Sequence, residues 1–386
     1  MTKIFRFVII AIAAIAGVMT TSCNHGNAYL TDEKQTAILK QYVDHTIAPT
    51  YSNLASQTEQ LVKDLQAFRS SHSQADLNTA CNTFLTARAW WEKSEAFLFG
   101  AASDFGIDPH IDSWPLDVDA FNIMMSNTSQ IQAMDAEDGD EYAGEKLGNS
   151  LLGFHGIEYI LFQDGNIKSA SEINDLQMIY AIAVAGDLRN RCYQLEVSWI
   201  GDDAPLAHRE KVEDLELNST VNGGTYSYGE NLIKAGNPGS TYFSTVNGLI
   251  AIVDGCKTIA DEVGTSKIGK PYNGEDIHYI ESPYSHRSIE DFLNNIISIE
   301  HAYYGGIEGA QDESNSLHGY MKAIDADLDA KVVDAINEAK AKIQAMPVPF
   351  VNNYTNSANA AAIEACQALD DILSEVNATL QKNSNQ

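Results

Sequence analysis

His155 and Glu158 stand three residues apart in the run Gly153-Phe154-His155-Gly156-Ile157-Glu158. On a helix, positions i and i+3 share one face, so the imidazole and the carboxylate can reach one point in space. That pairing suits a divalent or trivalent cation, or a proton relay. It equally suits a capped core histidine beside an acid, because two ligands do not make a metal site. Gly153 and Gly156 lower helix propensity. Their bare backbone makes sense if another helix or a bound ion must come close.

Further groups with coordinating chemistry lie upstream. Arg88, Trp90, Trp91, Glu92, Glu95 and Phe99 fall in one helical run, with Glu92 and Glu95 again three apart. Asp112 and Trp114 follow in a loop that also holds Asp108 and His110. Carboxylates from three segments with one imidazole favour hard cations: iron, manganese, calcium or magnesium over copper. Bundle-core di-metal sites use Glu-x-x-His pairs. Here the order is reversed and the motif holds one histidine, so a dinuclear oxidase centre is not expected. A second set is Tyr284-Ser285-His286-Arg287-Ser288, then Asp291, Asn294, Glu300, His301 and Tyr304. Ser285 or Ser288 can cap a helix and Arg287 can pair with an acid. Alternatively, Ser285 and Arg287 face a ligand across a cleft. The sequence has no His-Glu-x-x-His, and the inverted form fails because Tyr159 follows Glu158. Gly-x-Ser-x-Gly and phosphate-binding glycine loops are also missing.

These residues are carried on a chain that reads as nearly all helix, with no sustained alternating pattern. A helix capped at Thr31 is expected to reach about Phe68, and a second runs from Asp76 to Gly100. The segment 104–115 reads as a loop, Leu116 to Met125 as a short helix and 135–141 as an acidic surface loop. The His155 helix spans Leu151 to Phe162, and Ser171 caps another reaching Trp199. Later helices are expected over 241–263, 288–304, 317–345 and 357–380, with 264–283 a long loop. The polar stretch 201–225 marks a boundary between two helical bundles, residues 31–215 and 216–386, packed across a cleft. Arg88–Gly100 and Arg287–Gly305 resemble each other and hint at an internal duplication.

Formal net charge is −29, from 24 Lys+Arg against 53 Asp+Glu, and 44% of residues are hydrophobic. That is the composition of a packed globular chain whose acidic surface disfavours nucleic acid and anionic lipid head groups. Lys3 and Arg6, the apolar run Phe7–Val18 and Thr20-Thr21-Ser22-Cys23 read as a secretory signal. Its end resembles a lipoprotein signal, with Thr20 in place of the usual leucine. Cleavage then leaves a lipidated Cys23 at the N-terminus, and residues 24–30 form a tether. The remaining cysteines, Cys81, Cys192, Cys256 and Cys366, form no CxxC and are expected as buried free thiols.

The ordered set of motifs resembles one family. Gly153-x-His155-x-x-Glu158 is similar to the Gly-x-His-x-x-Glu motif of imelysin-like proteins, bacterial exported proteins once classed as insulin-cleaving metallopeptidases. Arg88…Trp91-x-x-Ser94-Glu95-x-Phe97, Asp112-Ser113-Trp114-Pro115, Ser285-x-Arg287-Ser288-x-x-Asp291-Phe292 and Tyr304-x-Gly306 match in order. The resemblance implies two helical bundles with the His155 helix lining a cleft, and a role in bacterial iron uptake at the cell envelope. Carried over by position, it implies His155 and Glu158 with Asp112 and either Glu92 or Glu95 as metal ligands, and the preferred reading takes His155, Glu158, Glu95 and Asp112. Glu92, Trp114, Ser285, Arg287, Asp291 and Tyr304 then line the cleft. The expected protein is a lipid-anchored component binding iron or an iron-bearing ligand beside other envelope uptake components. The alternatives are a metallopeptidase using the same residues and an interaction scaffold in which the motif is a structural hydrogen-bond centre.

Overall fold

The computed structural model describes residues 29–383. The signal sequence, Cys23 and most of the tether fall outside the described residues. Thr31 caps helix α1 (Asp32–Tyr42) by accepting from the Lys34 amide. The helix runs through a π-helical turn, Val43–Ile47, into α2 (Ala48–Ser71). Pro49 explains this turn. It has no amide hydrogen for the His45 carbonyl, and Ile307 N takes that carbonyl instead, at 2.8 Å. The left-handed His72 ends α2, and Ser73 caps α3 (Gln74–Glu92).

The sequence periodicity carries α3 to Phe99, but the helix stops at Glu92. The Ser94 hydroxyl takes the Trp91 carbonyl at 2.6 Å, and the Ser298 hydroxyl takes the Ala96 amide at 3.0 Å. Residues Glu95–Phe97 therefore form a 3-10 turn, and Glu92 and Glu95 are not neighbours on one helix face. The expected loop at 104–115 contains the short helix Ile107–Ile111, and the acidic stretch near 135–141 leads into the helix Gly139–Lys146.

Helix α4 (Gly153–Leu161) carries the motif and ends in a two-residue hairpin, Phe162–Gln163 against Asn166–Ile167. Asn174 and Gln177 form a capping box for α5 (Asp175–Ile200), three residues past the cap expected at Ser171. In the second half, α6 (Thr245–Asp261) continues through a π-helical turn, Glu262–Ile268, into a short helix, Gly269–Asn273. Much of the loop expected over 264–283 is thus helical. Helices α7 (Ser288–Tyr304), α8 (Ala326–Gln344) and α9 (Asn359–Asn383) complete the chain.

Helices α2, α3 and α5 pack as one bundle, with α4 against α5. Helices α6 to α9 pack as a second. The halves meet where α7 lies on α3 and where the Glu95–Phe97 turn lies on α6. One hydrophobic cluster runs through both, from Leu39 and Trp91 to Ile299 and Leu373. The architecture is the expected all-α one. The four described cysteines are free and buried. No described helix is long and apolar enough to cross a membrane.

Candidate functional site

The last two turns of α3 place Arg88, Trp91 and Glu92 on one face, at i, i+3 and i+4. All three are buried. Arg88 is the hub. Its NH2 lies 2.5 Å from both Glu92 Oε1 and Glu281 Oε1, its NH1 pairs with Asp112 Oδ1, and its Nε is 3.9 Å from Asp291 Oδ2. Trp91 Nε1 donates to the other oxygen of Asp112 at 2.6 Å. Burial pushes the Asp112 carboxyl up, but the Arg88 charge and then His155 outweigh it and hold it well below the usual carboxylate range.

His155 faces this hub from α4. Gly153 is what allows the approach: it has φ +69°, and a Cβ there would stand 1.9 Å from the Ile111 carbonyl oxygen. A side chain at Gly156 would strike the Tyr180 hydroxyl at 2.2 Å. The two glycines therefore admit the chain next to Asp112 and a tyrosine of α5. His155 Nδ1 lies 3.3 Å from Glu158 Oε2. The other oxygen, Glu158 Oε1, accepts from Ser285 N and Ser285 Oγ, both at 2.7 Å, and from Tyr284 N at 3.2 Å. Glu158 is thereby locked, and it locks the ring. The remaining nitrogen, Nε2, sits 3.0 Å from Asp112 Oδ1 but off the line of a ring N–H, so it makes no hydrogen bond. Burial lowers the His155 pKa, but the carboxylates of Asp112 and Glu158 at its two nitrogens raise it to about 9.

A second cation enters from the π-helical turn. Lys267 is 1% exposed, and its ammonium lies 3.3 Å from Glu281, 3.6 Å from Glu95 and 3.7 Å from Glu92. Asn295 Nδ2 donates to Glu92 Oε2 at 2.5 Å, and Ser282 Oγ to Asp291 Oδ2 at 2.5 Å. Glu92, Glu95, Asp112, Glu158, Glu281 and Asp291 are all buried. Even with His155 protonated, they outnumber the cations Arg88, Lys267 and His155 by three. The protein relieves the excess by protonation. Burial, then the Glu92 charge, lifts Glu281 to about 7. Burial also drives Glu95 and Asp291 well above the normal range, against the pull of Lys267 and Arg88 respectively. Three sets of ligand atoms come within 4.8 Å of one another: Asp112, His155 and Glu281; Glu92, Glu95 and Asp112; and Glu92, Glu281 and Asp291.

Of the residues expected from the sequence, the fold brings together His155, Glu158, Glu95, Asp112, Glu92, Asp291 and Ser285. Trp114 lines a cavity of about 230 Å³ beside them, with Glu95, Asp108, Asp112 and Lys267. Arg287 does not join: it is exposed and pairs with Glu290 at 2.8 Å. Tyr304 packs on Tyr303 and His318, about 20 Å along α7 from Asp291 at 1.5 Å per residue. The sequence reading missed Lys267, Glu281, Ser282 and Asn295. A lysine flanked by glycines and an acid in an irregular stretch carry no periodic signal that would single them out.

The family model for imelysin, peptidase M75, matches residues 47–376. Iron-regulated protein A of Synechococcus elongatus is 26% identical over 292 residues, 75% of this chain and 69% of that protein. A crystal structure from Parabacteroides distasonis, described as an iron-regulated protein A precursor, superposes with a TM-score of 0.73 at 29% identity. That match covers 91% of this chain and 96% of the other. An imelysin-like protein from Psychrobacter arcticum shares the fold, with a TM-score of 0.57 at 13% identity over 90% of this chain and 93% of its own. With the family match spanning most of the sequence, including the Gly-x-His-x-x-Glu motif, the chain belongs to the imelysin family.

Proposed function

We propose that the buried carboxylate–imidazole cluster captures a metal cation as cargo, and that the cation is iron. The carrying observation is His155 Nε2. Glu158 fixes the ring through Nδ1, and Nε2 faces Asp112 and Glu281 without a hydrogen bond. A carboxylate that orients a histidine from its far nitrogen is the usual support of a metal-ligating imidazole. In this reading Asp112, His155 and Glu281 hold the ion, with Glu95 and Glu92 adjacent. Glu158 acts one step back, as the group that sets the ring. The donor set is oxygen-rich with one nitrogen, which suits iron and manganese. The choice of iron draws on relatives named iron-regulated protein A, a name that describes regulation rather than binding.

Capture would displace protons from His155 and the protonated acids, so affinity should rise with pH. The peptidase alternative needs Glu158 as ligand or general base, and its oxygens are already engaged by protein donors. The scaffold alternative is favoured by one observation: Arg88 and Lys267 already sit among the acids as resident cations. Equilibrium dialysis separates the two. Ferrous iron under anaerobic conditions should bind the wild type at about one equivalent and be lost in Asp112→Asn and Glu281→Gln. Folded wild-type protein that takes up no iron, manganese or zinc would leave the scaffold reading. We further propose that the protein is exported and held at the cell envelope by lipid on Cys23. Fatty-acid labelling that persists in Cys23→Ala would overturn that part.

A further inference from the structure

Phe243 is the most exposed large apolar side chain among the described residues, at 94%. The loop that carries it, residues 236–244, is held by its own hydrogen bonds. Gly236 N donates to the Tyr242 carbonyl at 2.9 Å, and Tyr242 N to Ser240 Oγ at 3.1 Å. Buried Asn231 ties the loop down. Its side-chain oxygen accepts from Thr241 N at 2.8 Å, and its Nδ2 donates to Thr241 Oγ1 at 2.9 Å. Its carbonyl accepts from Ser240 Oγ at 2.8 Å. A loop whose polar groups bond one another can enter an apolar interface without stranding them. Residues 235–253 also hold no Asp, Glu, Lys or Arg, in a chain with 53 Asp+Glu and 24 Lys+Arg.

The loop stands at the end of the molecule where the tether from Cys23 arrives. Ser244 caps α6, and Thr245 Oγ1 lies 3.1 Å from Asp32 Oδ1 and 2.5 Å from Gln35 Oε1. A Cβ on Gly248 would stand 2.9 Å from the Leu39 side chain, so α1 and α6 run side by side in one direction. Both N-termini therefore lie at the same end. The chain between Cys23 and Tyr29 spans at most about 20 Å, and that between Phe243 and Thr245 at most about 7 Å. We propose that the Phe243 loop inserts into the membrane surface that the Cys23 lipid enters, and so fixes how the protein stands on it. The choice of a membrane as occupant rests on the lipid proposed at Cys23. The surface it fits is zwitterionic, because a net charge of −29 opposes an anionic one. Tyr226 packs beneath Gly239 with the Lys234 ammonium 4.3 Å over its ring, and tyrosine and lysine are the residues that sit at headgroup depth. Burying one phenylalanine favours the inserted orientation at least about tenfold. Lys267, beyond the far end of α6, then stands about 30 Å further from the surface at 1.5 Å per residue, so the metal cluster faces away from the membrane.

The test uses the chain from Cys23 onward with Phe243→Trp, its Cys23 thiol coupled to a maleimide-bearing lipid in phosphatidylcholine vesicles. The four described cysteines are buried, which directs the coupling to Cys23. Coupling imposes the tether whether or not a cell lipidates Cys23, so a failure of insertion is read separately from a failure of the anchor. Val348→Trp is the control. Val348 is also exposed, at 74%, but it precedes α9, which runs antiparallel to α6 through the Asn377–Asp254 and Lys257–Asp370 contacts and so begins at the far end. With the wild-type signal subtracted, the Phe243→Trp emission should shift to the blue on coupling and be quenched by lipids brominated in their acyl chains. The Val348→Trp emission should do neither. A Phe243→Trp emission that stays unshifted, or is quenched no more than that of Val348→Trp, would overturn the proposal.

Discussion

Lys267→Met removes an ammonium from among three carboxylates while keeping a side chain of similar length. At contact distances of 3.3 to 3.7 Å, each pair has a gross attraction of about 5 kcal/mol at an effective dielectric constant of 20. Desolvation of the buried ammonium, and the protonation that already relieves Glu95 and Glu281, offset much of that sum. Breaking a buried pair from one side typically costs about 3–5 kcal/mol, and that range is expected here. A chain of this size has an unfolding entropy near 0.75 kcal/mol per degree, so Tm should fall by about 5 °C at neutral pH. The pH dependence is the sharper part. Glu281 has its pKa raised to about 7, so it is largely protonated at about pH 5, where the lysine has less charge to meet. The gap between variant and wild type should therefore shrink by about half on going from pH 8 to pH 5. Adding Glu281→Gln should restore part of the loss, because the two side chains are in contact. Differential scanning calorimetry across that pH range reads all of this. A Tm change below about 1 °C, or one that is the same at both pH values, would refute the electrostatic account of the cluster.

Other outcomes follow from the same geometry. Gly153→Ala should destabilise by at least about 2 kcal/mol, since it combines a positive φ with a backbone collision. Gly148→Ala meets open space at φ −77° and should stay within about 0.5 kcal/mol, and chemical denaturation compares the two. In Glu158→Gln an amide can face His155 Nδ1, which forces the proton onto Nε2, so iron affinity should fall about 10- to 100-fold by equilibrium dialysis. His301 is buried near Lys93 and Lys340, and burial first, then those charges, lower its pKa to about 4. The unfolded chain then takes up the proton first as pH falls. Stability should drop by at most about 3 kcal/mol between pH 6.5 and 4, and His301→Gln should flatten that limb. His155 acts with the opposite sign: its stabilisation is full below pH 6.5 and fades as pH rises through about 9.

The sequence made the helical class and the motif's neighbours readable, because α1, α7 and the break at His72 are marked by local chemistry. Thr31 and Gly305 end their helices where a capping side chain, or the lack of one, dictates, whereas the cap expected from Ser285 or Ser288 does not form: Ser285 bonds Glu158 and the Ser288 hydroxyl donates to the Glu281 carbonyl. What failed were positions decided by distant contacts. The hydroxyls of Ser94 and Ser298 stop α3 before Glu95, against a helical period that continues to Phe99. Gly264, Gly269 and Pro271 are strong loop signals, yet π-helical geometry accommodates the stretch and turns Lys267 inward. Ser285 and Arg287 lie two residues apart in one motif, but Ser285 reaches Glu158 while Arg287 meets solvent and Glu290. The two motif glycines were legible as sites of close approach. What approaches them is the Ile111 backbone and the Tyr180 hydroxyl.

The most direct test of metal capture is anomalous scattering from crystals grown with ferrous iron and measured on both sides of the iron absorption edge. The account predicts one peak about 2 Å from His155 Nε2, with Asp112 and Glu281 completing the contacts and Glu158 still holding Nδ1. An iron peak elsewhere, or loaded crystals with no peak and an unmoved Arg88–Asp112–Glu281 network, would contradict it.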